Sequence, residues 1–446
     1  MTNTRELLTD LYLAAVAGAL PERATQEAVS ALGLSPSSPV RIIALGKAAH
    51  AMAAGAVSAI RAHGHELAGG VIVAPTDQPA PDSALRALVG DHPVPGDRSL
   101  AAAAAIGNAV AEVGPADEVL VLVSGGGTSL VAAPIEGISG FSQNDLGALY
   151  EALLGSGADI VAMNAVRKRF ARWSGGRLAK ALAPARVRCL IVSDVLGDDP
   201  ASISSGPCTP DPMTAVALNN SLHRAALWDK LPASARDHLE AVARGAADET
   251  PKPGDPAFAC VSTRVIVSNA HAVRAAAGTA RAAGIDEVTV VPEPLTGEAA
   301  IAGVRIASDL IARRKRERGP HRTRCVVWGG ETTVTLGLDP TNGEPPLGGR
   351  SQELALAAAR SLYDAGEQAC GIALLAAGTD GRDGPTDAAG AIVDQFTWGA
   401  VDGAGRDPSR DLAHHNAYRA LDAAHALLRT GHSGTNVMDV VIGVIL

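Results

Sequence analysis

The stretch Val119-Leu120-Val121-Leu122-Val123-Ser124-Gly125-Gly126-Gly127-Thr128-Ser129-Leu130 joins a short apolar, β-branched run to three glycines. An apolar run that ends directly in glycine is typical of a buried strand turning into a helix. The same order of strand, turn and Ala-rich helical pattern recurs along the chain. The further predicted strands are Val40–Leu45, Cys189–Val192, Arg264–Val267, Cys325–Trp328 and Gly371–Ala377. Strands that alternate with helices indicate βαβ units, so the sequence predicts an α/β fold with largely parallel sheets.

The length of 446 residues predicts two or three domains, at roughly 100–200 residues per domain. The clearest interruption is the segment Asp248–Ala257, which contains three prolines and cannot continue the preceding helical pattern. We therefore predict two α/β domains. Residues 1–247 form a Rossmann-like domain with a glycine-rich phosphate loop, and residues 258–446 form the second domain.

The composition argues against several classes of protein. The net charge is −9, and the dense basic runs Arg167–Arg169 and Arg313–Arg316 lie in helical patterns typical of solvated helix faces, so no nucleic-acid partner is expected. The five cysteines are scattered without a C-x-x-C pair, which favours buried free thiols in a reducing compartment. Neither a signal peptide nor an apolar stretch of about 18 residues or more is found. We expect a cytoplasmic protein without a membrane partner.

Chemically active side chains collect where the predicted strands end. These positions carry Lys47, the loop Gly125–Gly127, Asp194, Asn269, Glu331 and Asp380. In open α/β sheets, ligands bind outside the carboxyl ends of the strands. An ammonium group, a cradle of backbone amides and several carboxylates are the parts that phosphoryl transfer requires.

Each of these residues also has a purely structural interpretation. A run of glycines often only lets a strand turn, and acids after a strand often form turns or cap helices. The phosphate-loop signature G-x-x-x-x-G-K-S/T is missing because Gly46-Lys47 is followed by Ala48. The dinucleotide signature G-x-G-x-x-G is missing as well, which disfavours a Rossmann dehydrogenase.

The chain closely resembles the glycerate 2-kinase family, whose C-terminal half is the MOFRL domain. The matching motifs follow the family's order along nearly the whole chain: Ala44–Ala48, Gly90–Pro95, Val123–Leu130, Asn164–Lys168, Gly175–Ala179, Ser193–Asp199, Ser205–Pro207, Gly329–Val334, Gly348–Leu354, Gly378–Gly390 and Gly434–Asp439. No single motif is decisive, but this many in order is highly specific.

The resemblance implies a kinase that uses ATP and Mg²⁺ to phosphorylate D-glycerate, with its active site in a cleft between two α/β domains. It implies that Lys47 stabilises the transferring phosphate or the glycerate carboxylate, and that Arg350 clamps phosphate or carboxylate. It further implies that Asp380 is the base for the glycerate hydroxyl or a Mg²⁺ partner, with Asp194 as the second carboxylate.

The cofactor-binding candidates are Ser124, Gly125, Gly126, Gly127 and Thr128 as the nucleotide-phosphate cradle, with Asn269 and Glu331 beside them. Asp194 and Asp380 are the metal candidates. The expected partners are D-glycerate and ATP. The oligomeric state stays open, with a homodimer as one alternative.

Two departures from the family pattern concern the substrate rather than the reaction. Ser351 stands where the family usually has Asn, and His432-Ser433 replaces a usual Pro-Thr. Neither His92 nor His271 is expected to be the catalytic base. Two rival functions stay open: an NAD(P)H-dependent hydroxypyruvate reductase, and a non-catalytic protein that binds organic acids.

Overall fold

The computed structural model describes residues 2–136, 138, 141–158, 160–316, 322–336 and 345–446. The strands in this part of the chain are β1 (Val40–Leu45), β2 (Leu67–Ala74), β3 (Leu85–Val89), β4 (Glu118–Val123), β5 (Arg186–Val192), β6 (Val261–Val267), β7 (Glu287–Val290), β8 (Arg324–Gly330), β9 (Ile372–Gly378), β10 (Gly390–Asp394), β11 (Leu427–Leu428) and β12 (Asp439–Ile445).

The helices in the same part of the chain alternate with these strands. They are α1 (Thr2–Ala17), α2 (Pro21–Ser30), α3 (Ala49–Ala62), α4 (Asp97–Ala111), α5 (Gly127–Leu130), α6 (Gln143–Gly155), α7 (Ile160–Phe170), α8 (Arg177–Leu182), α9 (Ala215–Arg224), α10 (Ala233–Ala243), α11 (Asn269–Ala282), α12 (Ala299–Lys315), α13 (Arg350–Ala365), α14 (Thr397–Gly403), α15 (Pro408–Ala413) and α16 (Ala417–Ala423).

The chain divides into two compact units. The central unit is Pro21–Ile266, and the terminal unit combines Met1–Leu20 with Val267–Leu446. This division differs from the predicted domains 1–247 and 258–446. The proline-rich segment Asp248–Ala257 lies inside the central unit because β6, which follows it, joins the sheet of that unit.

The sheet of the central unit has the strand order β3-β2-β1-β4-β5-β6. Strand β1 pairs in parallel with both β2 and β4, and the pairs β2–β3 and β4–β5 are parallel too. This order is that of the Rossmann fold, whose ligands bind where the order reverses. Here the reversal lies between β1 and β4, and Leu45 is directly opposite Val123 at their carboxyl ends.

The sheet of the terminal unit has the order β11-β10-β9-β12-β8-β7. Strands β7 and β8 pair in parallel, whereas β12 runs antiparallel to both β8 and β9, and β10 runs antiparallel to β9 and β11. The predicted α/β class is confirmed, but the expectation of a largely parallel second sheet is wrong. The last strand of the chain enters the middle of this sheet from the opposite direction, which strand-and-helix alternation does not reveal.

Helix α1 belongs to the terminal unit although it opens the chain. Its buried residues include Leu8, Leu11 and Tyr12, and it packs against α11, β12 and β9. The Tyr12 hydroxyl donates to the carbonyl oxygen of Gly378 at 2.8 Å. Burial raises the pKa of Tyr12 to about 12, so this donor stays protonated.

The basic run Arg167–Arg169 is not the solvated helix face that the sequence predicted. Arg167, Lys168 and Arg169 are only 9%, 8% and 1% exposed. Arg169 forms ion pairs with Asp211 at 3.2 Å and Glu249 at 3.4 Å. These carboxylates are distant in sequence, so a local charge pattern could not show that the run is buried.

The cysteines follow the sequence expectation in part. Cys189, Cys208 and Cys325 are buried free thiols as predicted, but Cys260 and Cys370 are exposed. No helix among the described residues combines the length and apolar character needed to cross a bilayer.

Candidate active site

The reversal point of the central sheet brings Lys47 to the glycine-rich loop. The Lys47 N–H donates to the carbonyl oxygen of Gly125 at 2.9 Å. The Ala48 N–H donates to Ser124 Oγ, also at 2.9 Å. These bonds join the loops that follow β1 and β4. The backbone of Lys47, whose side chain is exposed, therefore lies beside the predicted phosphate cradle.

The loop needs glycine for steric reasons. A Cβ atom at Gly125 would overlap the carboxylate of Asp194, and one at Gly127 would overlap Leu45 and Ser204. Gly126 has φ +85°, in the left-handed region that favours glycine. The overlap at Gly125 also places Asp194, which follows β5, directly against this loop.

His92 and Lys47 lie on the same side of Gly126. A Cβ atom at Gly126 would lie 3.3 Å from His92 Nε2 and 3.3 Å from Lys47 Cε. Burial, with the charge of Lys47, lowers the pKa of His92, so the ring is neutral at pH 7. His92 is therefore a neutral neighbour of the cradle.

Ser204, which is not among the predicted site residues, fixes the shape of the glycine loop. Its hydroxyl donates to the carbonyl oxygen of Ser124 at 2.6 Å and accepts from the Gly127 N–H at 3.0 Å. Ser205 Oγ is 3.0 Å from Thr128 Oγ1. Both serines have positive φ, 49° and 59°, a conformation that non-glycine residues adopt at an energetic cost. In the sequence, the motif Ser205–Pro207 was the signal that pointed to this turn.

In the terminal unit, Arg350 is held by two carboxylates at the first turn of α13. Its Nε and Nη2 contact the two oxygens of Asp439 at 2.5 and 2.9 Å, and its Nη1 contacts Glu331 at 2.7 Å. Burial by itself would lower the pKa of Arg350, but the hydrogen bonds and charges of Asp439 and Glu331 outweigh it and raise the pKa. Arg350 stays fully charged and fixed in orientation.

Asp439 is the main functional candidate in this unit that is not among the predicted site residues. It is the first residue of β12 and lies opposite Gly330 of β8 and Gly378 of β9. Burial raises its pKa to about 6, against the lowering effect of Arg350. Because β12 is antiparallel to its neighbours, its beginning meets their ends, and a search of strand ends alone does not find it.

Asp383 caps helix α13. Its carboxylate accepts from the Ser351 N–H at 3.1 Å and the Gln352 N–H at 2.7 Å. Burial, followed by the charge of Asp439, raises the pKa of Asp383 to about 7 against these hydrogen bonds. The departure at Ser351 therefore falls on a residue whose backbone takes part in the cap.

Asp380 and Asn269 occupy different positions at the same edge of the terminal sheet. Asp380 follows β9 and is half-buried, with Oδ1 accepting from the Arg382 N–H at 3.0 Å. Ser433, one of the departures from the family pattern, donates its N–H to the Asp380 carbonyl oxygen at 3.2 Å. Asn269 Nδ2 donates to the carbonyl oxygens of Val437 and Asp439 at 2.8 and 2.9 Å. This amide nitrogen orients the start of β12.

A pocket of about 470 Å³ opens next to Arg350 within the terminal unit. Its lining includes Glu331, Gly349, Arg350, Glu353, Asp383 and His415. This volume lies in the range of small-molecule sites. Its charged wall and helix N-terminus suit a small polar ligand.

The structure thus groups the predicted residues in two sets. Lys47, Ser124–Thr128 and Asp194 lie together in the central unit, and Arg350, Glu331, Asp380 and Asn269 surround the start of β12 in the terminal unit. The described residues contain no group of three or more His, Cys, Asp or Glu side chains arranged to hold a metal ion. The metal roles of Asp194 and Asp380 stay predictions.

Comparisons with known proteins cover nearly the whole chain. Residues 7–240 match the domain of unknown function DUF4147, and residues 324–439 match the MOFRL family. A D-glycerate 2-kinase from Thermotoga maritima is 35% identical over 445 residues, covering 99% of this chain and 98% of the relative. A putative hydroxypyruvate reductase from Agrobacterium vitis is 37% identical, covering 98% and 94%. The crystal structure of a glycerate kinase from Thermotoga maritima superposes with a TM-score of 0.86 at 33% identity, covering all of both chains.

Proposed function

We propose that this chain, which belongs to the family of MOFRL-domain glycerate 2-kinases, transfers the γ-phosphoryl group of ATP to the 2-hydroxyl of D-glycerate. The observation that carries the proposal is the match to a D-glycerate 2-kinase along 99% of the chain. The products are 2-phosphoglycerate and ADP. A cytoplasmic location and a homodimer remain predictions.

The central unit supplies a site suited to phosphates. Lys47 begins next to a loop whose glycines let a ligand approach the backbone closely, at the reversal point where Rossmann-type sheets bind nucleotides. Phosphoryl transfer depends mainly on positioning and on stabilising the charge of the equatorial oxygens. We assign these tasks to Lys47 and the Ser124–Thr128 loop.

The terminal unit supplies the remaining charged groups. Arg350 is oriented by Asp439 and Glu331, which reduces the side-chain entropy lost when it binds an anionic oxygen. Asp380 is our candidate for accepting the proton of the acceptor hydroxyl. It is more accessible than Asp383, whose carboxylate caps a helix.

The acidic residues also fit Mg²⁺ in their chemistry, since carboxylate oxygens are the ligands that this ion prefers. Asp194 lies against the phosphate loop, and Asp380 is the second candidate ligand. A bound Mg²⁺ would neutralise phosphate charge during transfer.

The test of the proposal is a coupled ADP-release assay with MgATP and D-glycerate, followed by phosphorus NMR of the product. Glycerate-dependent ADP with a 2-phosphoglycerate signal supports both the reaction and its position. A 3-phosphoglycerate signal would keep the kinase and correct the position. ADP release no greater than in the blank without acceptor contradicts the proposal.

Replacing Lys47 or Arg350 by alanine tests the assignment of the two charged groups. We expect each variant to lose at least about a hundredfold in kcat/KM, as when a charged stabiliser of the transition state is removed. Circular dichroism should show a retained fold. Arg360→Ala is the matched control, because Arg360 lies on α13 and its guanidinium contacts Trp398 and Asp364 rather than the Asp439 and Glu331 carboxylates. Near-normal turnover in Lys47→Ala and Arg350→Ala would contradict the assignment.

Reduction of hydroxypyruvate is the alternative, favoured by the name of the Agrobacterium vitis relative. The missing dinucleotide signature argues against it. Nicotinamide absorbance followed with hydroxypyruvate distinguishes the two reactions. Oxidation of NADH or NADPH that requires hydroxypyruvate would favour the reductase, and ligand binding without any turnover would favour a non-catalytic protein.

A further inference from the structure

Helix α7 carries a buried arginine without a carboxylate partner. Arg167 is 9% exposed, and its Nε is buried without a hydrogen-bond partner. No carboxylate among the described residues forms an ion pair with it. Its guanidinium lies 4.7 Å from the centre of the Tyr150 ring, which replaces only part of the lost hydration. Burial lowers the pKa of Arg167, in keeping with a cation deprived of water.

Two carboxylates near α7 are already engaged by other cations. Asp211 is shared by Arg169 at 3.2 Å and Lys168 at 3.9 Å, and Glu249 is shared by Arg169 and Lys252, each at 3.4 Å. Within the described residues, these pairs leave Arg167 uncompensated. A buried cation without a compensating charge destabilises the fold, so an anion bound from solution would stabilise it.

The position of Arg167 connects it to the phosphate loop. Helix α7 packs against the turn Ile203–Ser205, and this turn packs against α5. Ser204 of the turn holds Gly127. Asn164 lies one helical turn before Arg167 and Lys168, so the three share one helix face. The Asn164 Nδ2 makes a long contact of 3.5 Å to the carbonyl oxygen of Ser202.

We propose that Arg167, with Asn164 and Lys168 beside it, forms an anion subsite next to the glycine loop, which binds the carboxylate of the hydroxy-acid acceptor. The planar guanidinium matches the two oxygens of a carboxylate or of a phosphoryl group. We choose the acceptor carboxylate because the nucleotide phosphates already have Lys47 and the loop. This choice rests on the proposed kinase activity, whereas the anion subsite itself does not.

Thermal melting of Arg167→Met tests the subsite without using activity. We expect D-glycerate to raise the melting temperature of the unchanged protein and to leave that of the variant unmoved. Without ligand, the variant should melt at the same temperature or higher, because an unpaired buried charge has been removed. A variant that keeps the shift seen with D-glycerate, or an unchanged protein that shifts with neither D-glycerate nor inorganic phosphate, overturns the proposal.

Steady-state kinetics identifies the ligand. For Arg167→Met we expect KM for D-glycerate to rise at least about tenfold, the loss of one charge-assisted hydrogen bond, with KM for ATP unchanged. A rise confined to KM for ATP would move the subsite to the nucleotide and overturn the acceptor assignment. If the unchanged protein releases no ADP with D-glycerate, the kinase proposal fails, and the subsite is judged from the phosphate-induced melting shift.

Two further variants control for folding. Arg172→Met is matched, because Arg172 also stacks on an aromatic ring, Trp173 at 4.9 Å, but pairs with Glu136. It should leave both KM values unchanged. Arg167→Lys keeps the buried cation and covers the case in which the methionine variant does not fold. Because lysine lacks the planar guanidinium, it should still raise KM for D-glycerate, and an unchanged KM contradicts the proposal.

Discussion

At the residue scale, single side chains hold the glycine loop in a shape that its glycines permit but do not impose. Ser204 donates to the Ser124 carbonyl and accepts from the Gly127 N–H from a left-handed backbone conformation. Two well-formed bonds within a buried turn outweigh the conformational cost of positive φ at one serine. The loop is therefore preorganised by a residue 77 positions away in the chain.

Ser204→Ala should weaken both the fold and nucleotide binding. Losing the hydroxyl leaves the Gly127 N–H and the Ser124 carbonyl without this partner, at a cost of about 1–3 kcal/mol in the free energy of unfolding. We expect urea denaturation to show this loss and KM for ATP to rise. The exposed Ser37 gives the control Ser37→Ala. An unchanged KM for ATP would mean that Ser204 does not shape the nucleotide site.

At the element scale, helix α13 is defined by the cap at its first turn. Asp383 accepts from the Ser351 and Gln352 amides while it is 3% exposed. Capping and the positive end of the helix dipole favour the ionised carboxylate, but burial favours the protonated one more strongly. The pKa of about 7 records that balance.

The stability of the protein should accordingly depend on the protonation of Asp383. The folded-state pKa of about 7 exceeds the usual 3.8. Between these two pH values the folded protein therefore binds more protons than the unfolded chain. The contribution to stability is present below about pH 4 and is lost as pH rises to 7, by an amount on the order of a few kcal/mol. Calorimetry from pH 5 to 8 measures it.

Asp383→Asn should flatten this pH dependence. At pH 5 the variant should be less stable, since an amide replaces one capping oxygen, and at pH 8 it should match or exceed the unchanged protein. Asp387→Asn is the control, because the exposed Asp387 has a lowered pKa through its bonds with Tyr418 and Arg429. Because Asp387 stays ionised from pH 5 to 8, Asp387→Asn should leave the slope of stability against pH unchanged in that range. Parallel stability curves for Asp383→Asn and the unchanged protein would contradict the pKa of about 7.

At the scale of the whole molecule, the two ends of the chain fold together. Arg5 Nη2 donates to the carbonyl oxygen of Leu427, and Thr435 Oγ1 donates to that of Ala19, both at 2.7 Å. Leu8, Leu11 and Tyr12 are completely buried in the same unit. Helix α1 is thus part of the core around β9 and β12.

Deleting residues 1–20 should unfold the terminal unit and spare the central one. The truncation removes Leu8, Leu11 and Tyr12 from the core. At about 1.5–3 kcal/mol for each large side chain, the combined loss is comparable to a typical stability margin of roughly 5–15 kcal/mol. Calorimetry should then retain the transition of Pro21–Ile266 alone. Deleting only residues 1–4, which precede the buried stretch, is the control. A truncated chain with both transitions intact would contradict this organisation.

The sequence by itself determined the α/β class and the family. It also determined most positions at which polar residues follow a strand, including Lys47, Ser124–Thr128, Asp194, Glu331 and Asp380. These features are local, because an apolar run, a glycine turn and a following helix lie within a few residues of one another. The site roles of these residues remain predictions. Their grouping within each unit required strand order, which no local pattern contains.

The tertiary structure alone decided the rest. Pairing of β1 with β4 brings Lys47 to the glycine loop, and the reversed direction of β12 brings Asp439 to Arg350. The burial of Arg167 and the membership of α1 in the terminal unit depend on partners that are not neighbours in sequence, up to 422 positions apart for Arg5 and Leu427. Such contacts are fixed by packing and strand register, and neither can be deduced from the local periodicity of a chain.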